Sequence, residues 1–204
     1  KTVTITTGNY GWKIDQAKET AALVSLIKNG EQTSREPEYS QKAASHSGND
    51  YGNTYVEINL TAQHLYFYAN GKLLVESDFV SGNAAKGWST PAGAYSITYK
   101  QRNATLKGQG YATPVSYWMP FNGGIGLHDA NWRKTFGGTI YKNGGSHGCV
   151  NLPPAVAKTI YENISAGDPV LCYHLDGTES SKTSGTKKDG TAETTAATTA
   201  VPTT

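Results

Sequence analysis

Cys149, one of two cysteines in the chain, stands in Ser146-His147-Gly148-Cys149-Val150-Asn151, and a second histidine, His128, lies upstream in Gly124-Ile125-Gly126-Leu127-His128-Asp129. The thiolate is the reactive form of cysteine, and imidazole is the side chain best matched to generating it near neutral pH. Gly144, Gly145 and Gly148 permit backbone conformations closed to other residues, so amides in this stretch can turn towards a substrate carbonyl. Such donors form an oxyanion hole, each commonly contributing ~3 kcal/mol in acyl transfer. The chemistry indicated is acyl transfer through a cysteine. His147 is close in sequence, but the base of a cysteine enzyme often comes from a separate segment. His128 is therefore read as the base and His147 as a supporting or orienting group. Residue chemistry alone leaves two other readings open. His128, His147 and Cys149 are zinc ligand types, although no HExxH or CxxC spacing accompanies them, and the segment also reads as a packed turn.

The elements that must position these groups are bounded by composition. The 204 residues fit one ordinary domain with extra segments at each end. A formal net charge of +2 leaves no electrostatic footprint for nucleic acid, and Lys182, Lys187 and Lys188 fall in a polar tail as solvated residues. No apolar run approaches the ~20 residues that span a bilayer. The chain opens on Lys1 with no visible signal peptide, so it reads as a fragment or mature form whose address and any anchor lie outside it. Two cysteines make no disulfide framework, and Cys172 reads as a buried free thiol in an apolar run.

Four regions follow. Residues 1–29 hold a β-like run at 2–6 and a helical pattern through Ala21, Ala22, Leu23, Leu26 and Ile27, with Asp15 as N-cap and Gly30 closing it. One strand and one helix bury little core, so this region reads as the remnant of a preceding domain. Residues 30–52 are polar and aperiodic and read as a linker, with His46 given no role. Residues 53–175 carry β-rich runs at 55–60, 64–68, 73–75, 78–81, 94–99 and 170–174. Asn70-Gly71 marks a type I′ hairpin, and His64 and His174 are read as strand-edge residues. The convincing helix of this domain opens at Pro153-Pro154 and runs through Tyr161. Residues 176–204 are rich in Thr, Ser and Ala and are expected to be disordered, since they bury too little surface to offset ordering entropy.

Taken together, His128, the gap 129–145 and Ser146-His147-Gly148-Cys149-Val150-Asn151 resemble the signature of the L,D-transpeptidase catalytic (YkuD) domain, without departure at a signature position. The stretch 117–128 and Asn70-Gly71-Lys72, Thr90-Pro91-Ala92-Gly93 and Val150-Asn151-Leu152-Pro153 are also similar to that family. Residues 1–29 resemble, more weakly, the end of the peptidoglycan-binding domain that precedes it in Gram-positive members. The resemblance implies a mainly β, YkuD-like β-sandwich with one helix packed near the active site. It implies 3→3 cross-linking of peptidoglycan without a cofactor or metal. Cys149 would attack the third residue of a donor tetrapeptide stem, expel the terminal D-Ala, and pass the acyl group to the side-chain amine of an acceptor stem. His128 would move the protons, a carbonyl or hydroxyl near Ser146 or Asp129 would orient its ring, and amides around Gly148 and Cys149 would bind the oxyanion. Tyr111, Trp118, Met119, Trp132 and Arg133 are candidates to line the cleft, and Asn151 to support the loop or touch substrate. Carbapenem β-lactams are the expected inhibitors, and an extracytoplasmic place at the wall or outer membrane face of a Gram-positive bacterium is the expected location. An L,D-carboxypeptidase, a non-catalytic wall-binding module and, last, a zinc peptidase are the alternatives.

Overall fold

The computed structural model of the protein describes residues 2–46, 49–108, 110–186 and 192–193. The chain divides into two compact units, Tyr10–Gly52 on one side and Lys1–Asn9 with Asn53–Thr204 on the other. In the smaller unit, β1 (Lys13–Ile14) leads into α1 (Gln16–Asn29), and β2 (Tyr39–Gln41) returns to pair antiparallel with β1. The Asp15 side chain caps α1 by accepting from Lys18 N, and Gly30 ends it in the left-handed region at φ 64°. The linker expected over 30–52 is corrected here. Its backbone supplies β2, Arg35 and Glu38 N both bond the Glu19 carboxylate, and Trp12 stacks on His46 with ring centroids 3.6 Å apart. Polar, aperiodic sequence concealed this because the contacts are hydrogen bonds and single aromatic stacks, which leave no hydrophobic period.

The larger unit contains β3 (Tyr55–Asn59), β4 (His64–Ala69), β5 (Lys72–Asp78), β6 (Gly93–Ser96), β7 (Gln101–Gly108), β8 (Tyr111–Asn122), β9 (Ile125–Asp129), β10 (Thr135–Gly137), α2 (Ile140–Gly144), β11 (Val150–Leu152), α3 (Pro154–Asn163), β12 (Pro169–Tyr173), β13 (Thr183–Thr186) and β14 (Ala192–Glu193). One sheet runs β5-β4-β3-β12-β6 and another β11-β9-β8-β7, while β10, β13 and β14 form a small third sheet. Asn70 and Gly71 both take positive φ between β4 and β5, as the type I′ hairpin requires. Val56, Ile58, Leu65 and Phe67 from the first sheet meet Met119, Phe121, Leu127, Val150 and Leu152 from the second, and α3 adds Val156, Ala157 and Ile160 to the same core. The expected mainly β architecture with a helix against the core therefore holds. The short helix α2, which no periodicity announced, leads into the cysteine loop.

Two terminal expectations change. Residues 2–6 form no strand; the segment is held instead by a bridge of Gly8 to Ala94 and by Thr7 Oγ1 donating to Ala92 O. Disorder from 176 onward does not describe the tail's first part, because β13 pairs antiparallel with β10, Ser184 opposite Phe136. Edge pairing satisfies backbone groups and needs no large apolar side chain, so a Thr/Ser composition permits it. Residues 187–191 and 194–204 lie outside the described residues. No helix among the described residues is long and apolar enough to cross a membrane.

Candidate active site

The site is built where β11 starts beside β9. The two strands run parallel, with Val150 opposite Leu127 and Asn151 opposite His128, while β8 lies antiparallel on the other side of β9 and puts Trp118 opposite His128. Directly opposed residues share a sheet face, so Trp118, His128 and Asn151 form a row across three strands. Cys149 immediately precedes β11 and packs on Trp118, whose ring centroid lies 6.0 Å from that of His128. The signature thus converges because one parallel pairing aligns two segments distant in sequence.

His128 is buried, and its Nδ1 is 2.8 Å from the backbone oxygen of Asp129. A carbonyl only accepts, so Nδ1 carries the proton and Nε2 presents the lone pair. The Asn151 carboxamide has one orientation that satisfies its neighbours: its nitrogen donates to His128 Nε2 at 3.0 Å and its oxygen accepts from Arg133 Nε at 2.7 Å. Burial holds the His128 pKa below its ordinary 6.5, with the Asp129 carbonyl and carboxylate opposing and the Arg133 cation adding to the depression. Burial pushes the Cys149 thiol up, partly offset by the Gly126 amide, and Sγ lies 3.5 Å from Gly124 O. The resting pair is accordingly a thiol and a neutral imidazole, each partnered by its own neighbours.

The loop that carries the sulfur is fixed from several sides. Ser146 Oγ donates to Cys149 O at 2.6 Å and accepts from Gly148 N at 3.0 Å. Ser146 therefore closes the turn; it does not orient His128, a task that falls to the Asp129 carbonyl. The same bond engages the Gly148 amide, so the Cys149 amide is the candidate oxyanion donor of the two expected. Gly148 itself adopts φ +118°, where a side chain is strained, and a Cβ there would stand 3.1 Å from Ile125 Cδ1. From the facing loop, Thr90 Oγ1 donates to Gly148 O at 2.6 Å and accepts from Gly82 N at 3.0 Å. The exposed His147 ring is stacked between Trp88 (4.2 Å) and Tyr111 (4.6 Å).

The cleft candidates separate. Tyr111 stands beside His147, and Trp132, 47% exposed, lies 6.0 Å from His128, so both border the site. Trp118 is buried beside His128. Met119 is fully enclosed in the core, which corrects its expected place in the cleft: alternation along β8 turns successive side chains to opposite faces. Asp129 is buried and its Oδ1 accepts from Ser116 N and Tyr117 N, both at 2.8 Å, so the carboxylate secures β8 to β9. Cys172 is a free, fully buried thiol. Thr90 and Trp88 were given no role by sequence reading, although Thr90 lies in one of the segments that resemble the family.

Residues 53–172 match the L,D-transpeptidase catalytic domain (YkuD) family. A crystal structure of a cysteine-to-serine mutant of the Enterococcus faecium L,D-transpeptidase is 38% identical, covering 84% of this chain and 69% of that one with a TM-score of 0.74. The catalytic domain of the E. faecium L,D-transpeptidase acylated by ertapenem, an NMR structure, is 42% identical over 59% of this chain and 97% of that one, TM-score 0.54. An L,D-transpeptidase from Mycobacterium smegmatis shares the fold at 22% identity, covering 59% of this chain and 58% of that one, TM-score 0.50. A comparison with curated proteins finds no match. With the match spanning more than half of the sequence, and His128 aligned beside the strand that follows Cys149, the chain belongs to the L,D-transpeptidase catalytic domain family.

Proposed function

We propose that the protein cross-links peptidoglycan 3→3 through a thioester on Cys149. The observation that carries this reading is the parallel β9–β11 pairing, which sets the cysteine loop beside a buried, neutral imidazole with its Nε2 lone pair defined. The thiol proton passes to His128 Nε2, whose lone pair the Asn151 amide gives up in this step, as sulfur attacks the carbonyl of the donor's third residue. Collapse of the tetrahedral intermediate breaks the bond to the terminal D-Ala, whose amine leaves with the proton from the imidazolium. The side-chain amine of an acceptor stem then attacks the thioester, gives a proton to His128 and releases the thiolate. The acyl bond energy is kept in the thioester, so no nucleotide is needed. Such chemistry belongs outside the cytoplasm, at the wall or the outer membrane face.

The relatives support a covalent acyl-enzyme, since one is described as acylated by ertapenem and another as a carbamoyl enzyme with avibactam. Carbapenems are on this reading inhibitors that acylate Cys149. The test is to incubate the chain with a disaccharide-tetrapeptide and analyse products by mass spectrometry. A dimer lacking one D-Ala is expected, absent in Cys149→Ala. A tripeptide product without dimer would replace the transpeptidase by an L,D-carboxypeptidase, and unchanged substrate would leave a wall-binding module.

A further inference from the structure

We propose that Arg133 is a positioning residue that, through the carboxamide of Asn151, reinforces the His128 tautomer set by the Asp129 carbonyl; the consequence for acylation rests on the transpeptidase reading. Arg133 follows β9, and its backbone N donates to Ala130 O at 3.0 Å, which turns the side chain back towards the site. Its guanidinium reaches two acceptors, Gly144 O at 2.9 Å from NH2 and the Asn151 oxygen at 2.7 Å from Nε. The fork thereby ties the segment after β9 to the end of α2 and to β11. Guanidinium is suited to this because it offers several donors in a fixed geometry and never loses its charge.

The consequence lies one residue further in. With its oxygen held by Arg133, the buried Asn151 can present only its N–H groups to His128 Nε2. The ring must then meet a donor at Nε2 and a carbonyl at Nδ1, which only the neutral Nδ1–H tautomer does. Were the carboxamide reversed, both ring nitrogens would face oxygen. A neutral ring would then set a lone pair against a carbonyl, and the doubly protonated ring would be favoured. Arg133 therefore opposes protonation twice, by its charge and by the orientation it imposes. The other groups facing the ring are the Asp129 carboxylate, engaged by Ser116 and Tyr117 of β8, uncharged Asn151 of β11, and the rings of Trp118 and Trp132.

Nitrogen-15 NMR of the His128 ring across a pH series, on the full chain without substrate, tests this. The unsubstituted protein is expected to show a protonated Nδ1, an unprotonated Nε2 and a midpoint below 6.5. In Arg133→Ala the tautomers mix and the midpoint rises by about one pH unit, the size of shift a neighbouring charge gives. Arg133→Lys, which keeps a cation and one donor, restores most of both and serves where the alanine variant is unstable. Carbapenem acylation of Cys149, measured at a pH below both midpoints, then slows by up to about tenfold in Arg133→Ala, in rate and not in half-saturating concentration, as a one-unit shift requires. An Arg133→Ala chain with an unchanged tautomer and midpoint overturns the proposal. Failure of the unsubstituted protein to acylate counts against the transpeptidase reading alone, because the tautomer is measured without substrate.

Discussion

Cys149 and His128 both rest uncharged, because burial raises one pKa and lowers the other. On the proposed mechanism, proton transfer is therefore part of the attack and not a step completed beforehand. A depressed His128 pKa keeps the base available in mildly acidic solution, so the acid limb of the acylation rate should be centred below 6.5. Carbapenem acylation followed by intact mass between pH 4.5 and 8 checks this; a limb centred above 6.5 would contradict it. His128→Gln should remove the limb and slow acylation by about 10²–10⁴-fold. Stability carries the same sign. Below 6.5 the unfolded chain takes up a proton on this residue that the folded chain resists, so His128 lowers stability as pH falls through that window. At this scale the convergence of the Cys149 and His128 segments was legible, since the two residues have chemistry that few other residue types supply. Which of the groups near Ser146 and Asp129 orients His128 was left open, and Met119 was misplaced, because the aim of a hydroxyl and the face of a β8 side chain depend on local backbone geometry.

Two short elements, β9 and β11, turn separate segments into a site, and the loops around them set its precision. Thr90 is the clearest case: one hydroxyl bonds Gly82 N and Gly148 O, both backbone groups of facing loops. A Cβ on Gly82 would run into Gly148 Cα, so the loops meet backbone to backbone, and Thr90 adds its hydroxyl to the backbone bonds of Asn83 N to Ser146 O and Ser146 N to Ser81 O. Thr90→Val keeps the shape but strands a buried amide and carbonyl, a loss of about 1–3 kcal/mol. Thermal unfolding should show a midpoint lower by about 2–12 °C, with slower acylation of Cys149. An unchanged midpoint would remove Thr90 from the support of the cysteine loop. The Asn70-Gly71 hairpin, the caps of α1 and the start of α3 were legible because each depends on residues with special backbone preferences. The five-residue α2 was not, since it is too short to display a helical period.

On the scale of the molecule, the sequence boundary at Asn53 separates chemistry from a differently built unit at Tyr10–Gly52. The smaller unit is held by hydrogen bonds of Tyr10, Trp12, Glu19 and Arg35 and by the clustered rings of Trp12, Tyr39 and His46, which is why its polar second half passed for a linker. At the other end, β13 adds to β10 through its backbone, a pairing that composition does not encode. The larger unit is where the account stands or falls, because only its fold brings β9 and β11 side by side. Its central claim is a covalent acyl intermediate on Cys149. The most direct measurement is rapid-quench intact mass spectrometry of the full chain with a donor tetrapeptide stem and no acceptor, followed by peptide mapping. The account expects an adduct equal to the stem minus D-Ala, attached at Cys149 and absent from Cys149→Ala. Release of D-Ala at an undiminished rate by Cys149→Ala, or an adduct mapped to another residue, would contradict it.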